Sequence, residues 1–202
     1  MIAIIDYGIG NLASIENMVK KVGGKAIITS DATEILASRA IILPGVGSFD
    51  YAVTKLKETG LKKIILDAVS NGKPLLGICL GMQLLFDSSE EGKLPGLGII
   101  PGRVVKFKAP KLKVPHMGWN NITVNEPTEN NIYRGLAQEN RFYFVHSFHV
   151  VCDDPLDISA TCDYGEKFTC SVRRNQVYGA QFHPEKSHKF GMTFFKNFLE
   201  LI

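Results

Sequence analysis

The sequence predicts an α/β fold: a mostly parallel sheet flanked by helices, with an added antiparallel β layer in the C-terminal half. Three observations lead there. The first half alternates short apolar runs with longer segments whose apolar residues recur at helical spacing. Those short runs lack polar alternation, as strands buried on both faces do. After residue 92 the texture changes to short β-rich runs separated by turn residues.

In order, IAIIDY is a first strand, and NLASIENMVKKVG follows as a helix with a glycine stop. KAIITS is the second strand. DATEILAS opens with an Asp-x-x-Glu start signal and reads as a short helix. AIILPG is a third strand, FDYAVTKLKETG and LKKIILDAVSNG are helices, and KPLLGI is a fourth strand that runs into Cys79. LPGLGIIPGRVVKF, KVPHMGWNNITV, NRFYFVHSFHVVC, DISATCDY, KFTCSVRR and QVYGAQF are the β-rich segments, and SHKFGMTFFKNFLELI is an amphipathic closing helix. No repeat or low-complexity linker interrupts the chain. Residues 1–202 are therefore expected to form one domain, flavodoxin-like in its first half.

Composition narrows the function classes. A length of 202 residues supports a full core. A net charge of +3, with Lys and Arg scattered, argues against a nucleic-acid surface. MIAIIDYGIGN has no basic leader region and reads as a strand rather than a signal peptide. No apolar run is long enough to span a membrane. The cysteines Cys79, Cys152, Cys162 and Cys170 form no CxxC pair. A disulfide framework is not expected, the last three read as core or strand residues, and the chain is expected to be cytoplasmic.

The chemistry centres on GICLG. Glycines two before and two after Cys79 match a nucleophile elbow, where side chains would collide in the sharp strand-to-helix turn. The N-terminus of a following helix favours a thiolate, and the Leu80 N–H is placed to receive an oxyanion. Alternatively, the pentapeptide arises by chance and Cys79 is a buried hydrophobe. In QFHPEKS, His183 and Glu185 are two apart at the end of a strand and project to one side. A carboxylate holding one imidazole nitrogen while the other faces a thiol is the arrangement nucleophilic catalysis needs. A solvated loop is the alternative. A metal site would need a third ligand, and the odd offset of His146 and His149 sends them to opposite strand faces; neither metal nor cofactor is expected. LPGVGSFD, after the third strand, either turns backbone N–H groups toward the same sheet edge or is a generic tight turn.

PGVGSFD, GICLGMQLLF and FHPEKS, in this order and at these separations, resemble the class I glutamine amidotransferases. IDYGIGNLASI, HMGWN and FYFVHSFHV resemble, within that class, the glutaminase subunits of imidazole glycerol phosphate synthase, a histidine-pathway enzyme. The resemblance runs from the first strand to the last helix, with no further domain expected at either end. It implies that Cys79 attacks the side-chain amide of L-glutamine, His183 shuttles protons and Glu185 orients His183. It gives the oxyanion hole to the N–H groups of Leu80 and of Val46 or Gly47. Substrate contacts fall to Gly45, Gln83, Ser147 and Phe148. The PGVG peptide is implied to point wrongly until a partner binds its ligand.

That partner, by resemblance, is a separate (β/α)8-barrel synthase subunit in a heterodimer, receiving neutral ammonia through a closed route. The residues resembling the family's contact face are Asn11, Ser14, Trp119, Tyr143 and Lys186. Two other functions stay open from the sequence. One is a paralogue feeding a different acceptor, such as a sugar amidotransferase for surface polysaccharide. The other is a non-catalytic flavodoxin-like binding module with an inert thiol.

Overall fold

The computed structural model describes residues 1–108, 113–125, 131–136 and 140–202. Its first half runs β1 (Ile2–Ile5), α1 (Leu12–Lys21), β2 (Ala26–Thr29), α2 (Ala32–Ala37), β3 (Ala40–Leu43), α3 (Phe49–Glu58), α4 (Leu61–Ser70) and β4 (Leu75–Ile78). These strands pair in parallel in the order β2-β1-β3-β4. β1, β3 and β4 are buried at every position, as their unbroken apolar runs require. β2, at the edge, is mostly half-buried. The start signal of α2 is realised: the Asp31 carboxylate accepts from the Glu34 N–H at 3.0 Å.

After Cys79 come α5 (Leu80–Gln83), β5 (Ser88–Ser89), β6 (Gly102–Lys106), β7 (His116–Val124), β8 (Arg141–His146), β9 (Phe148–Cys152), β10 (Ile158–Asp163), β11 (Lys167–Arg174), β12 (Val177–Ala180) and α6 (His188–Leu201). β12 returns to lie parallel to β4, with Val177 opposite Leu75 and Ala180 opposite Ile78. From β12 the sheet continues antiparallel through β11, β10, β7 and β8, so the added strands grow out of the same sheet. β6 and β9 pair with each other and branch off through β11.

Two cores form on opposite faces. Alternate residues of β1 separate them: Ala3 and Ile5 join Phe49, Leu56 and Ile65 of α3 and α4, whereas Ile2 and Ile4 join Ile15, Val19 and the α6 phenylalanines Phe194, Phe195 and Phe198. Among the described residues no helix is long and apolar enough to cross a membrane.

The helix expected after Cys79 forms and is one turn long. The structure differs from the sequence reading in two places. NRFYFVHSFHVVC is two strands broken at Ser147, because β8 pairs with β7 while β9 pairs with β6. β12 stops at Ala180, so His183 lies beyond the strand.

Candidate active site

The turn at Cys79 is tight because three backbone segments meet there. Cys79 has φ 56° and ψ −113°, a region that costs a non-glycine residue energy. A Cβ on Gly81 would stand 1.9 Å from the Leu43 carbonyl oxygen, and one on Gly77 would stand 2.7 Å from the Gly81 oxygen. The glycines of GICLG are thus required by close backbone approach to β3 and to the turn itself. Gly45 is part of the same packing, since its Cβ would stand 2.9 Å from the Gly81 nitrogen and from the Tyr7 oxygen. Tyr7 holds this loop from beneath, its hydroxyl donating to the Pro44 carbonyl at 2.6 Å. Burial, and then the charge of nearby Cys79, push the Tyr7 pKa up, so it remains a donor.

The Cys79 carbonyl accepts from the N–H groups of Met82 and Gln83. Among the described residues, the N–H groups of Leu80, Val46 and Gly47 have no hydrogen-bond partner.

The β12–β4 register carries His183 to the sulfur. Cys79 follows Ile78, Gln181 follows Ala180, and the Cys79 N–H donates to the Ala180 carbonyl at 2.7 Å. His183 is then pinned to β8 through its N–H to the Tyr143 carbonyl at 2.9 Å. His183 and Glu185 do meet, with Nδ1 2.7 Å from Oε1. A 3-10 turn over Pro184–Lys186 brings them together, rather than the pleat of a strand. Both side chains are sealed, at 3% and 2% exposure. His183 Nε2 is buried without a hydrogen-bond partner, on a ring that lines the same cleft as Cys79. Burial opposes the charged ring, but the Cys79 sulfur and the Glu185 carboxylate outweigh it and raise the His183 pKa to about 10.

Cys79, Leu80, Val46, Gly47, Gln83, Ser147, Phe148 and His183 line one cleft of about 320 Å³. Glu185 stands behind His183, and Gly45 is buried behind the loop. Three further residues escaped the sequence reading. Gln181 is fully buried, donates from Nε2 to Cys79 Sγ at 3.8 Å and accepts at Oε1 from Gln83 at 2.9 Å. Its only signal was a polar residue closing an apolar strand. Gln83 also donates to the Phe148 carbonyl at 3.0 Å. Glu91 lines the cleft and accepts from the Phe49 N–H at 2.9 Å; partial burial raises its pKa. Tyr7, described above, is the third.

His146 and His149 do not part to opposite faces. The break at Ser147 turns the chain, and both rings lie against Phe107, at 5.3 and 4.8 Å. Among the described residues no group of three His, Cys, Asp or Glu is arranged to hold a metal. The other thiols are quiet: burial pushes Cys152 and Cys162 up to about 12 and Cys170 upward as well.

On the surface beside the 3-10 turn, Trp119 is 45% exposed and meets Tyr143 edge-on at 6.1 Å. Lys186 Nζ lies 5.7 Å from the Tyr143 ring centre. His188, unanticipated, stacks on Trp119 at 5.3 Å. Asn11 is exposed and Ser14 half-buried at the start of α1, which packs against the same turn.

Comparison with known proteins bears on the family and the fold. Residues 3–201 match the family described as glutamine amidotransferase class-I. The chain is 53% identical over 202 residues to "Imidazole glycerol phosphate synthase subunit HisH 2" of Methanococcus maripaludis, covering 99% of both. It is 50% identical over 204 residues to the protein of that name in Pseudomonas aeruginosa, covering 100% of both. It is 47% identical over 206 residues to "Imidazole glycerol phosphate synthase subunit HisH" of Bdellovibrio bacteriovorus, again covering 100% of both. Among solved structures, PurLQS from Thermotoga maritima superposes with a TM-score of 0.76 at 18% identity, covering 98% of this chain and 97% of that one. The glutaminase domain of CTPS from Trypanosoma brucei gives 0.64 at 17% identity, covering 98% and 93%. At such identities these two attest the fold alone.

Two outcomes are expected. Gly81→Ala should lower the unfolding free energy by about 1–3 kcal/mol, because the methyl group must displace the Leu43 carbonyl; a urea titration at wild-type stability would contradict the elbow packing. The folded His183 pKa of about 10 exceeds its ordinary 6.5, so the folded chain holds a proton that the unfolded chain releases between those values. The stability His183 confers is complete below pH 6.5 and fades as pH climbs to about 10. The stability gap between wild type and His183→Asn should therefore narrow across that window, and a gap constant with pH would refute the raised value.

Proposed function

Since the chain belongs to the class I glutamine amidotransferase family, and within it to the HisH subunits of imidazole glycerol phosphate synthase, we propose that it hydrolyses L-glutamine through a thioester on Cys79 and passes ammonia to a (β/α)8-barrel synthase subunit docked over the cleft. The observation behind this is the sealed His183–Glu185 pair beside Cys79, in a cleft supplied with unpartnered N–H groups.

The mechanism follows from those parts. In the thiolate–imidazolium form, Sγ of Cys79 attacks the side-chain amide carbon of glutamine. The oxyanion is received by the N–H of Leu80 and that of Val46 or Gly47. One such donor is worth about 3 kcal/mol, so a mispointed PGVG peptide would slow the reaction roughly a hundredfold. His183 gives its proton to the departing nitrogen, the C–N bond breaks and ammonia leaves. Neutral His183 then takes a proton from water, whose oxygen attacks the thioester. Glutamate departs, and the thiolate and imidazolium are restored. Glu185 holds His183 Nδ1 throughout. Glu91, the one acidic side chain among the described residues lining the cleft, is suited to the substrate ammonium, and the Ser147–Phe148 backbone to its amino-acid end.

Ammonia released into neutral water is mostly protonated and loses its nucleophilicity, which is the chemical reason for a docked acceptor. Trp119, Tyr143, Lys186 and His188 form a continuous aromatic and cationic patch beside the triad turn, with Asn11 and Ser14 on the neighbouring α1 end, and this surface suits that contact. One observation favours a second acceptor. The relatives at 53% and 50% identity are both named HisH 2, and a second subunit of one name is free to serve a different barrel.

The test is a glutaminase assay with candidate barrel subunits, each with and without its nucleotide-sugar ligand. Wild type should be activated by its own barrel and Cys79→Ala should stay at background. Activity surviving in Cys79→Ala would remove the thioester, and activation only by a barrel that makes no imidazole product would select the second acceptor.

A further inference from the structure

HMGWN is a motif to which the mechanism above assigns only a surface tryptophan. Along β7, alternation turns Met117 and Trp119 outward, at 62% and 45% exposure, and leaves His116 nearly sealed at 3%. Across the β7–β8 ladder His116 is directly opposite His146, itself 6% exposed. The two rings are joined, with His116 Nδ1 3.0 Å from His146 Nε2. His146 Nδ1 in turn lies 2.8 Å from the Phe148 carbonyl oxygen. At the outer end the Asn120 amide nitrogen lies 3.4 Å from His116 Nε2 and donates to the Asp163 carbonyl at 2.8 Å.

The chemistry of these partners fixes where each proton sits. A carbonyl oxygen only accepts, so His146 Nδ1 carries a hydrogen. In a neutral ring His146 Nε2 is then an acceptor, and His116 Nδ1 must donate to it. His116 Nε2 is left to accept from Asn120. Both rings lie among aromatic neighbours, His116 stacked on Tyr164 at 4.0 Å and His146 tilted against Phe107 at 5.3 Å. Burial drives their pKa values down to about 4 for His116 and about 3 for His146, so both are neutral in the working range.

The chain ends on an atom that matters. The Phe148 carbonyl also accepts from Gln83, whose amide reaches Gln181 and through it the Cys79 sulfur. Phe148 and Ser147 sit where β8 breaks into β9, and both line the cleft. β6 holds one side of this segment, through the Phe107 N–H to the Ser147 carbonyl at 3.3 Å, while the Phe148 carbonyl is reached by the side chains of His146 and Gln83.

We propose that His116 and His146 are positioning residues for the glutamine cleft: a pair of neutral Nδ1–H tautomers, locked by Asn120, that fixes the direction of the Phe148 carbonyl and hence the Ser147–Phe148 backbone that receives the substrate. The substrate part of this statement rests on the glutaminase function proposed above. The tautomer part does not.

Two measurements test it. In isotope-labelled wild-type protein, two-bond proton–nitrogen NMR correlations of the histidine rings should show His116 and His146 neutral and protonated at Nδ1. A spectrum with either ring protonated at Nε2, or cationic near neutral pH, overturns the proposal with or without turnover. In the barrel complex, His116→Phe keeps the bulk and removes the donor, whereas His116→Asn keeps a donor near the Nδ1 position. His116→Phe should raise the KM for glutamine about tenfold, the scale of one buried hydrogen bond. Its kcat should change less than about threefold, with His146 Nε2 left without its donor. His116→Asn should restore the wild-type KM. Equal damage in both variants, or a loss confined to kcat, overturns the positioning role. Should His116→Phe fail to fold, the wild-type spectrum and His116→Asn still decide it. A wild-type complex that never hydrolyses glutamine would overturn the proposed function instead, leaving the tautomer pair to stand on its spectrum.

Discussion

Parallel pairing of β12 with β4 places Ala180 opposite Ile78, and the candidate chemistry hangs on that register. The sulfur and the imidazole are more than a hundred positions apart in sequence, yet each begins just past the end of a strand in this one pair. A slip of one residue would turn Gln181 away from Cys79 and withdraw the carbonyl that now accepts the Cys79 N–H. The register is held from both sides, by β3 against β4 and by β11 against β12, in a part of the sheet with no exposed face.

Once the two loops are adjacent, packing decides what each can be. The elbow is pressed against β3 so closely that Gly81 admits no side chain, and Cys79 takes an uncommon backbone conformation with its sulfur at the cleft. The His183–Glu185 pair is removed from water almost entirely. A charge pair so buried is costly to separate, since either partner left alone would be an unpaired buried charge. That cost fixes ring orientation without requiring the pair to add net stability. The same burial silences Cys152, Cys162 and Cys170, leaving the chain with one cysteine at a cleft.

Much of this was legible from local pattern. The buried parallel strands announce themselves as apolar runs, the α2 cap as Asp-x-x-Glu, and the elbow as paired glycines, because each reflects a steric or hydrogen-bonding need within a few residues. Features that depend on distant partners were not. The break at Ser147 follows from β8 and β9 having different neighbours, which no local alternation records, and it reversed the expectation for His146 and His149. The meeting of His183 with Glu185 was anticipated for the wrong reason, since a Pro184-led turn rather than strand pleat joins them. Gln181, Tyr7 and Glu91 are single polar residues whose importance lies wholly in what the fold brings beside them.

The central claim is that Cys79 alone is the nucleophile, presented by the β4 elbow to an amide bound in the cleft. It is tested most directly by treating the barrel complex with a glutamine-like alkylating agent, such as a diazo ketone, and mapping the adduct by peptide mass spectrometry. One adduct is expected, on the Cys79 peptide, and excess glutamine should prevent it. Modification at Cys152, Cys162 or Cys170 instead, or a Cys79 that stays unmodified, would contradict the account.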